Sequence, residues 1–440
     1  MILLLPFILG LFFLLTSPYI LKKSQIFFLA YFVLFAYTIF TQLGYLFYPE
    51  TLDVVSFHQY YGEEAFIPYW TYTFLSFLSI FFIFAIFYDK KYKTIFSIRV
   101  KPLLRKPANC LYITLISFYT LVLICFLLRN YENLSYINQS ILKDNTIWFY
   151  LFSLGGVVLL SIFYKILIEH NKEKKIFYSA LFFLVFLIFF LTAIRSGQRI
   201  EIAMAFLGFM ASLWYLFRDK IRIKRLKLKY IFIVLIICLI GISFFQGIRI
   251  TRGHDESPAA FLATLKYPKT YLSLFLPKNL IFQDWLAPSL TLMTSIERDI
   301  IFPEKVIESN LTVLVPFITH DSLGGLLSRI IDPEGIQGYG YYILTEGYNF
   351  MGFAGFIYAA FIFVLGFRLL ESFFTNTNDK LFNAFMYGII AFLVIEIVRG
   401  QSIMFLKGLY LYFLPAIILF ILMSNKKIYL TRPKIKMGIS

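Results

Sequence analysis

Charged residues are scarce in this sequence, and their scarcity excludes most soluble architectures. Only 15% of the 440 residues are Asp, Glu, Lys or Arg, whereas 60% are apolar and 20% are aromatic. An average soluble domain carries about 25% charged residues. A chain with so few charges lacks the polar side chains needed to cover a surface that faces water. The composition therefore indicates an integral membrane protein.

Cysteines and short chemical motifs are also in short supply. The three cysteines, Cys110, Cys125 and Cys238, all fall within apolar runs, so a disulfide framework in the polar segments is excluded. The sequence contains no Walker loop, no GxGxxG, no HExxH and no Cys/His zinc spacing. We therefore expect neither a cofactor nor a metal. Because no basic residue precedes Lys22, we also expect no cleaved signal peptide.

Long apolar runs are abundant. Crossing the ~30 Å of hydrocarbon in a bilayer takes ~20 residues of helix. Such runs must be helical, because backbone groups left unpaired in lipid are costly. We predict an all-α polytopic membrane protein with about eleven transmembrane helices, spans one to eight in residues 1–245 and spans nine to eleven in residues 351–423. The runs lie at residues 2–16, 26–47, 69–88, 110–128, 146–168, 176–194, 200–217, 230–245, 351–369, 381–398 and 403–423.

The segments between the runs alternate in charge. The basic ones are residues 22–23, 90–106, 172–175, 218–229 and the tail 424–440, whereas residues 48–68 contain no Lys or Arg. The positive-inside rule assigns the basic segments to the cytoplasm. We therefore predict a bacterial inner-membrane protein whose amino terminus lies outside and whose carboxyl terminus is cytoplasmic. The net charge of +16 then reflects topology and lipid headgroup contact, not nucleic-acid binding.

The alternation leaves one large periplasmic loop, residues 246–350, between spans eight and nine. Its apolar pieces are too short to span a bilayer, and we expect them to form short helices in the membrane interface. Prolines separate these pieces, namely Pro258, Pro268, Pro277, Pro288, Pro303, Pro316 and Pro333.

Arginines on the predicted outer side run against the positive-inside trend. They include two close pairs, Arg195 with Arg199 and Arg249 with Arg252, and they are completed by Arg298, Arg329 and Arg399. The planar guanidinium group of arginine binds two phosphate oxygens at once. This set of arginines therefore favours a diphosphate ligand. The alternative is that they contact anionic headgroups or pair with acids such as Glu201 and Asp255.

Few residues on the predicted outer side are suited to general base catalysis. A transferred group requires that a base take the proton of the incoming hydroxyl. The candidates are His254, His320 and Glu346, which lies in a glycine- and aromatic-rich segment before span nine. Glu396, three residues before Arg399, is an intramembrane carboxylate. Such a group is a functional candidate or one half of an internal ion pair, here with Arg399 or Lys407.

Three segments carry a family resemblance. They are TAIRSGQRIEI at residues 192–202, QGIRITRG with Arg249 and Arg252, and YGYYILTEGYNFMGFAGF at residues 339–356. With the predicted spans and the single late outer loop, the chain resembles the oligosaccharide repeat-unit polymerases, the Wzy family, of O-antigen, lipopolysaccharide and capsule assembly.

The resemblance implies glycosyl transfer on the periplasmic face. The donor would be an undecaprenyl-diphosphate-linked glycan and the acceptor the terminal sugar hydroxyl of a second one, with a chain-length regulator protein as a possible partner. Glu346 or His254 would assist deprotonation. The diphosphate would be bound by Arg195, Arg199, Arg249, Arg252, Arg329 and Arg399, and sugars would contact Tyr339, Tyr341 and Tyr348.

Three other functions stay open at this point. A flippase or other transporter would handle the same lipid-linked glycan, but it typically carries more charges inside its helices. A polyprenyl-phosphate-dependent glycosyltransferase would use Glu63 and Glu64 as a metal site. A non-catalytic scaffold of an envelope assembly complex would need no arginine clusters. The concentration of polar residues in one outer segment favours the polymerase.

The predicted topology has a direct test. Alkaline phosphatase fused after residue 300 is expected to be active, because the enzyme folds only outside the cytoplasm, whereas the same fusion after residue 225 is expected to be inactive. Phosphatase activity in whole cells is the measurement. An inactive fusion at 300 together with an active one at 225 would reverse the topology.

Overall fold

The computed structural model describes most of the predicted membrane-spanning chain. Its described residues are 4–47, 63–89, 97–102, 109–129, 152–196, 199–217, 283–314, 323–331, 341–375, 377–424 and 426–431. The structure is about 89% helical. The predicted all-α character is therefore confirmed for the great majority of these residues.

The helices before the long polar segment follow the apolar runs closely. They are α1 (Leu4–Lys23), α2 (Gln25–Phe47), α3 (Glu63–Asp89), α4 (Asn109–Arg129), α5 (Gly155–Ile168), α6 (Lys172–Ser196) and α7 (Arg199–Phe217), with strand β1 (Ser97–Pro102) between α3 and α4.

The later elements are shorter until the last spans begin. They are α8 (Gln283–Glu297), α9 (Pro303–Leu314), α10 (Leu323–Ile331), α11 (Ile343–Met351), a 3₁₀ turn (Gly352–Ala354), α12 (Gly355–Phe374), α13 (Lys380–Arg399), α14 (Met404–Gly408), a π-helical turn (Leu409–Phe413), α15 (Leu414–Ser424) and strand β2 (Lys426–Thr431).

Six helical segments are long and apolar enough to cross a membrane, which identifies a multi-pass membrane protein. They are Leu5–Lys23, Ile67–Tyr88, Lys172–Thr192, Ile343–Phe374, Lys380–Arg399 and Met404–Ser424. Shorter apolar helices at Gln25–Ile39, Cys110–Cys125, Gly155–Ile168 and Ile202–Phe217 coincide with four further apolar runs. The run 230–245 lies outside the described residues, so the number of eleven spans stays a prediction.

The exterior of α1 shows how a membrane helix differs from a soluble one. Phe7, Leu11, Leu14 and Leu15 are each more than half exposed and recur at the spacing of one helix face. In water this stripe would be unfavourable, whereas hydrocarbon is the solvent that it matches. We predicted that the first span ends near Pro18, but α1 continues through Pro18 to Lys23. Membrane helices accommodate an internal proline because neighbouring groups satisfy the freed carbonyl.

The chain divides into two compact units. Unit 1 comprises Met1–Lys91, Pro268–Arg368 and Val394–Lys407. Unit 2 comprises Tyr92–Tyr267, Leu369–Leu393 and Gly408–Ser440. The boundaries fall inside α12 and α13, so each of these helices contributes one part to each unit.

Unit 1 is built around aromatic packing and a few long-range polar contacts. Phe27 stacks on Phe84 with 4.5 Å between the ring centroids. The Ser289 hydroxyl of α8 donates to the Tyr37 carbonyl of α2 at 2.6 Å. The Tyr72 hydroxyl of α3 donates to the Leu344 carbonyl of α11 at 3.0 Å. These contacts fix α8 and α11 against the first three helices of unit 1.

Unit 2 places α5 among α6, α7 and α15 and ties it to its neighbours with buried hydroxyls. The Tyr164 and Ser212 hydroxyls are hydrogen-bonded, and Ser212 in turn donates to the Ala384 carbonyl of α13 at 3.0 Å. Close to this contact, a Cβ added at Gly388 would lie 2.8 Å from the Gly208 carbonyl oxygen. The two glycines therefore allow α7 and α13 to approach at backbone distance, as small residues do in membrane helix packing.

Two strands, which we did not predict, form an antiparallel sheet in unit 2. β1 lies in the basic segment 90–106 and β2 in the basic tail, and they pair in the register Ile98–Leu430 and Val100–Ile428. The Asn378 side chain, from the link between α12 and α13, accepts from the Val100 N–H at 2.9 Å and donates to the Val100 carbonyl at 3.0 Å. Two segments that the charge pattern assigns to one side of the membrane thus meet each other and the link between α12 and α13.

The segment 343–374 contains a sharp break between α11 and α12. Gly352 has a φ of +60°, which ends α11, and a Cβ added at Gly355 would lie 1.8 Å from the Gly347 carbonyl oxygen. Residues eight apart in a continuous helix are far apart, because each residue adds ~1.5 Å of rise. α11 therefore folds back on the start of α12, and α12 is the continuous apolar helix that follows.

Candidate functional site

Glu346 is the centre of the most polar region in unit 1. It lies in the first turn of α11 and is fully buried. Around it, the buried polar residues of unit 1 include Thr291, Ser295, Ser309, Thr345 and Asn349. A buried charge needs hydrogen-bond donors, since an unpaired one would carry a large desolvation penalty. The donors of Glu346 therefore define the site.

Three elements supply those donors. Oε1 accepts from Asn310 Nδ2 of α9 at 2.9 Å, from the Tyr358 hydroxyl of α12 at 3.3 Å and from the Ser402 hydroxyl at 2.6 Å. Oε2 accepts from the Ser402 backbone N–H at 2.5 Å. An ionised carboxylate is an acceptor only, with room for about four donors. The four contacts hold α9, α12 and the turn after α13 together around the Glu346 side chain.

A second set of contacts strengthens the same junction. Gln401 Nε2 donates to the Ser309 hydroxyl at 2.8 Å, and both residues are buried. The Tyr358 and Ser402 hydroxyls are 3.3 Å apart. The side-chain oxygen Oδ1 of Asn310 is buried, with no hydrogen-bond partner in the described part of the chain.

The next turn of α11 holds the turn that follows α8. Asn349 Nδ2 donates to the Ile300 carbonyl at 2.7 Å and to the Ser295 hydroxyl at 3.1 Å. The Tyr348 hydroxyl donates to the Asp299 carboxylate at 3.0 Å. Asp299 has a φ of +46°, a backbone conformation that is unusual outside glycine. The contacts with α11 hold the turn in this form.

The same turn carries exposed charge. Glu297, Arg298 and Asp299 are all exposed. Arg298 donates to the Ile330 carbonyl at 3.1 Å, next to Arg329 in α10. Although Glu297 is exposed, loss of part of its hydration raises the pKa of its carboxyl, and the positive charge of the adjacent Arg298 lowers that pKa by less. The hydrogen bond to Ile330 holds Arg298 beside the backbone of α10, the helix that carries Arg329.

Arg399 lies at the edge of the Glu346 cluster. It ends α13 and is followed directly by the turn whose Gln401 and Ser402 are bound to α9 and Glu346. Its guanidinium carbon lies 5.8 Å from the centroid of the Tyr37 ring. A cation over an aromatic face is favourable, so this contact restrains the arginine. Glu396 lies in the same helix, three residues earlier.

The other predicted arginines are placed only by their helices or not at all. Arg195 lies in the last turn of α6, Arg199 is the first residue of α7, and Arg329 lies in α10. The side chains of all three are outside the described part of the structure. Arg249, Arg252, His254, His320 and Tyr339 are outside the described residues, as are the side chains of Glu63 and Glu64.

Two predicted sugar-contacting tyrosines are buried. Tyr341 and Tyr348 are each only 5% exposed. Tyr341 packs with Val306, Leu323 and Leu327, and burial raises the pKa of its phenol well above the usual value. It therefore stays protonated, with its hydroxyl 3.5 Å from Asn349 Oδ1. In this conformation both rings support the fold and offer no open face to a sugar.

Sequence reasoning found Glu346 but missed its partners. Ser402 and Gln401 follow Arg399 closely, so the arginine indicates their neighbourhood without indicating their role. Asn310 and Tyr358 carry no sequence signal, since amides and tyrosines are common in such segments. Asn349 lies one helical turn after Glu346, a spacing that places both on neighbouring parts of α11.

Comparison with known proteins gives no independent identification. No protein-family model, no curated protein and no solved structure matches the chain. Within the described ranges, no three His, Cys, Asp or Glu side chains come together as metal ligands. A function has to be argued from the sequence and from the geometry above.

Replacing Glu346 with Gln tests the hydrogen-bond network. An amide group cannot accept at every position that the carboxylate does, so at least one donor faces another donor. We expect Glu346→Gln to lower the free energy of unfolding by about 1–3 kcal/mol, measured by thermal unfolding in detergent. Glu308→Gln is the matched control, because the Glu308 side chain of α9 is 62% exposed and its carboxylate bonds Lys305 at the surface. Equal behaviour of the two variants would contradict a structural role for the network.

Proposed function

We propose that this protein polymerises undecaprenyl-diphosphate-linked oligosaccharide repeat units into a bacterial surface polysaccharide, O-antigen or capsule, by glycosyl transfer on the outer face of the inner membrane. The observation that carries the proposal is the Glu346 cluster. It gathers α9, α11 and the turn after α13, all parts of the chain that the charge pattern assigns to the outer side. Arg399 lies at its edge.

The chemistry of the reaction suits a site rich in arginine. The bond between the anomeric carbon of the donor glycan and the diphosphate oxygen breaks, and that carbon forms a bond to the acceptor hydroxyl oxygen. The hydroxyl proton passes to a base, and undecaprenyl diphosphate leaves. Negative charge grows on the leaving diphosphate, so fixed guanidinium groups stabilise the transition state. The donor already holds the required free energy.

Arg399 has the surroundings expected of a preorganised cation. Tyr37 restrains its guanidinium group, and the following turn is fixed by Glu346 and Ser309. A donor that needs no rearrangement contributes most to transition-state stabilisation. We propose that Arg399 and Arg329 bind the diphosphate, with Arg195, Arg199, Arg249 and Arg252 as further ligands.

Glu346 fits the role of general base less directly. Its oxygens already accept four hydrogen bonds, and it has no exposed surface. A general base must reach the proton it abstracts. Glu346 would do so only after Asn310 or Ser402 moved away, so we assign it first to holding the turn beside Arg399. His254 remains the other proposed base.

A transporter for the same lipid-linked glycan is the second candidate. Transporters place substrates at helices that are interrupted within the membrane. The segment 343–374 is interrupted at Gly352, and the helix after residue 404 contains a π-helical turn at Leu409–Phe413. Helix interruptions of both kinds often mark functional sites. This feature favours a transporter, whereas the arginines favour the polymerase.

Deleting the gene separates the two candidates. We expect the mutant to display surface glycan with one repeat unit on each lipid carrier or core, because flipping continues while polymerisation stops. A transporter defect would instead leave the glycan intermediate on the cytoplasmic face. Gel electrophoresis of the surface glycan and accessibility of the intermediate in intact cells are the measurements.

An arginine series in the complemented mutant tests the site. We expect Arg399→Ala to reduce polymerisation by about 10²-fold, because the leaving group loses a fixed charge, and Arg399→Lys to retain part of it. Arg368→Ala is the matched control. Arg368 also lies over a tyrosine, 4.7 Å from the Tyr88 ring centroid, but it is near the end of α12, ten residues after the Tyr358 that contacts Glu346. Polymer of full length from Arg399→Ala, at equal protein level, would remove Arg399 from the site.

A further inference from the structure

The two-stranded sheet presents one cationic face. Residues directly opposite each other in an antiparallel pair point to the same side of the sheet. The register pairs Arg99 with Tyr429 and Lys101 with Lys427. All four side chains are exposed. Three cations and one aromatic ring therefore share a single open surface, which we call the basic face.

The other side of the sheet is anchored to unit 2. Ile98 and Val100 are buried. The backbone N–H and the backbone carbonyl of Val100 are both hydrogen-bonded to the Asn378 side chain. Lys426 forms an ion pair with Asp379. These contacts hold the sheet in place without using any of the three cations on the basic face.

The basic face has no neutralising carboxylate in the described structure. Among the described residues, no Asp or Glu oxygen lies within 4 Å of Arg99, Lys101 or Lys427. The Lys101 ammonium lies 5.9 Å from the centroid of the Tyr429 ring. In the sequence, residues 90–106 and 426–440 contain no acidic residue at all. The positive charge is therefore uncompensated over a continuous stretch of surface.

The sheet lies at the end of a membrane-spanning helix. β2 begins at Lys426, two residues after α15 ends at Ser424. That spacing places the start of β2 near the depth of the lipid headgroups. Tyrosine prefers this depth because its ring is apolar and its hydroxyl is polar. Tyr429 is 44% exposed on the basic face.

We propose that the basic face binds the headgroups of anionic phospholipids at the membrane surface. The partner is chosen on charge and shape. An open row of cations matches a layer of phosphates, whereas a soluble anion would need a concave site with converging donors. The cytoplasmic leaflet, where the charge pattern places this sheet, carries the anionic lipids.

Lipid titration of the purified full-length protein tests the proposal. In neutral detergent, added phosphatidylglycerol is expected to raise the unfolding temperature, because a ligand that binds only the folded state stabilises it. Phosphatidylcholine is expected to have little effect. The triple variant Arg99→Gln, Lys101→Gln, Lys427→Gln is expected to need on the order of 10²-fold more phosphatidylglycerol for the same response.

Two further variants make the result specific. The Lys172→Gln, Lys174→Gln, Lys175→Gln variant removes the same charge from exposed lysines of α6, outside the sheet, and is expected to need less added phosphatidylglycerol than the triple variant in the sheet. The charge-keeping variant Arg99→Lys, Lys101→Arg, Lys427→Arg is also expected to keep the response. An unchanged response in the triple glutamine variant would overturn the proposal. So would equal stabilisation of the wild type by a short RNA, since that would indicate a soluble polyanion as the ligand.

Discussion

A carboxylate buried away from water must find hydrogen-bond donors, and this requirement organises unit 1. Glu346 obtains its donors from α9, from α12 and from the turn after α13. These elements are distant in the sequence, so the carboxylate acts as a local centre at which they meet. The break at Gly352 lets α11 fold back and carry Glu346 into this position. Together with the hydrogen bond from Gln401 to Ser309, that network fixes the turn that follows Arg399.

The two charged regions of the molecule serve different purposes. Near Glu346, polar groups are buried and paired, which suits a site that holds one ligand geometry. On the basic face, Arg99, Lys101 and Lys427 are exposed and unneutralised, which suits a broad anionic surface.

Hydropathy predicted much of the fold because an apolar helix in lipid needs little more than length and composition. The apolar runs at 69–88, 176–194 and 381–398 correspond closely to observed helices. The strands were missed because the basic residues of those segments were interpreted only as a topology signal. The alternation of apolar and basic residues in Ile98-Arg99-Val100-Lys101 is nevertheless typical of a strand. The partners of Glu346 were beyond prediction, because they come together only through the fold of α11 and the turn at Ser402. The charge pattern drew attention to Glu346 and Arg399, but it did not indicate which side chains are buried.

The coupling between Glu346 and Ser402 is the most direct measure of whether this network organises the site. A double-mutant cycle of Glu346→Gln, Ser402→Ala and the double variant, followed by unfolding in detergent, isolates their interaction from other effects. Because Ser402→Ala removes the 2.6 Å hydrogen bond from the Ser402 hydroxyl to Glu346 and leaves the one from the backbone N–H, we expect a coupling free energy of about 1 kcal/mol. Additive effects, with a coupling near zero, would show that the two residues act independently and would contradict the account.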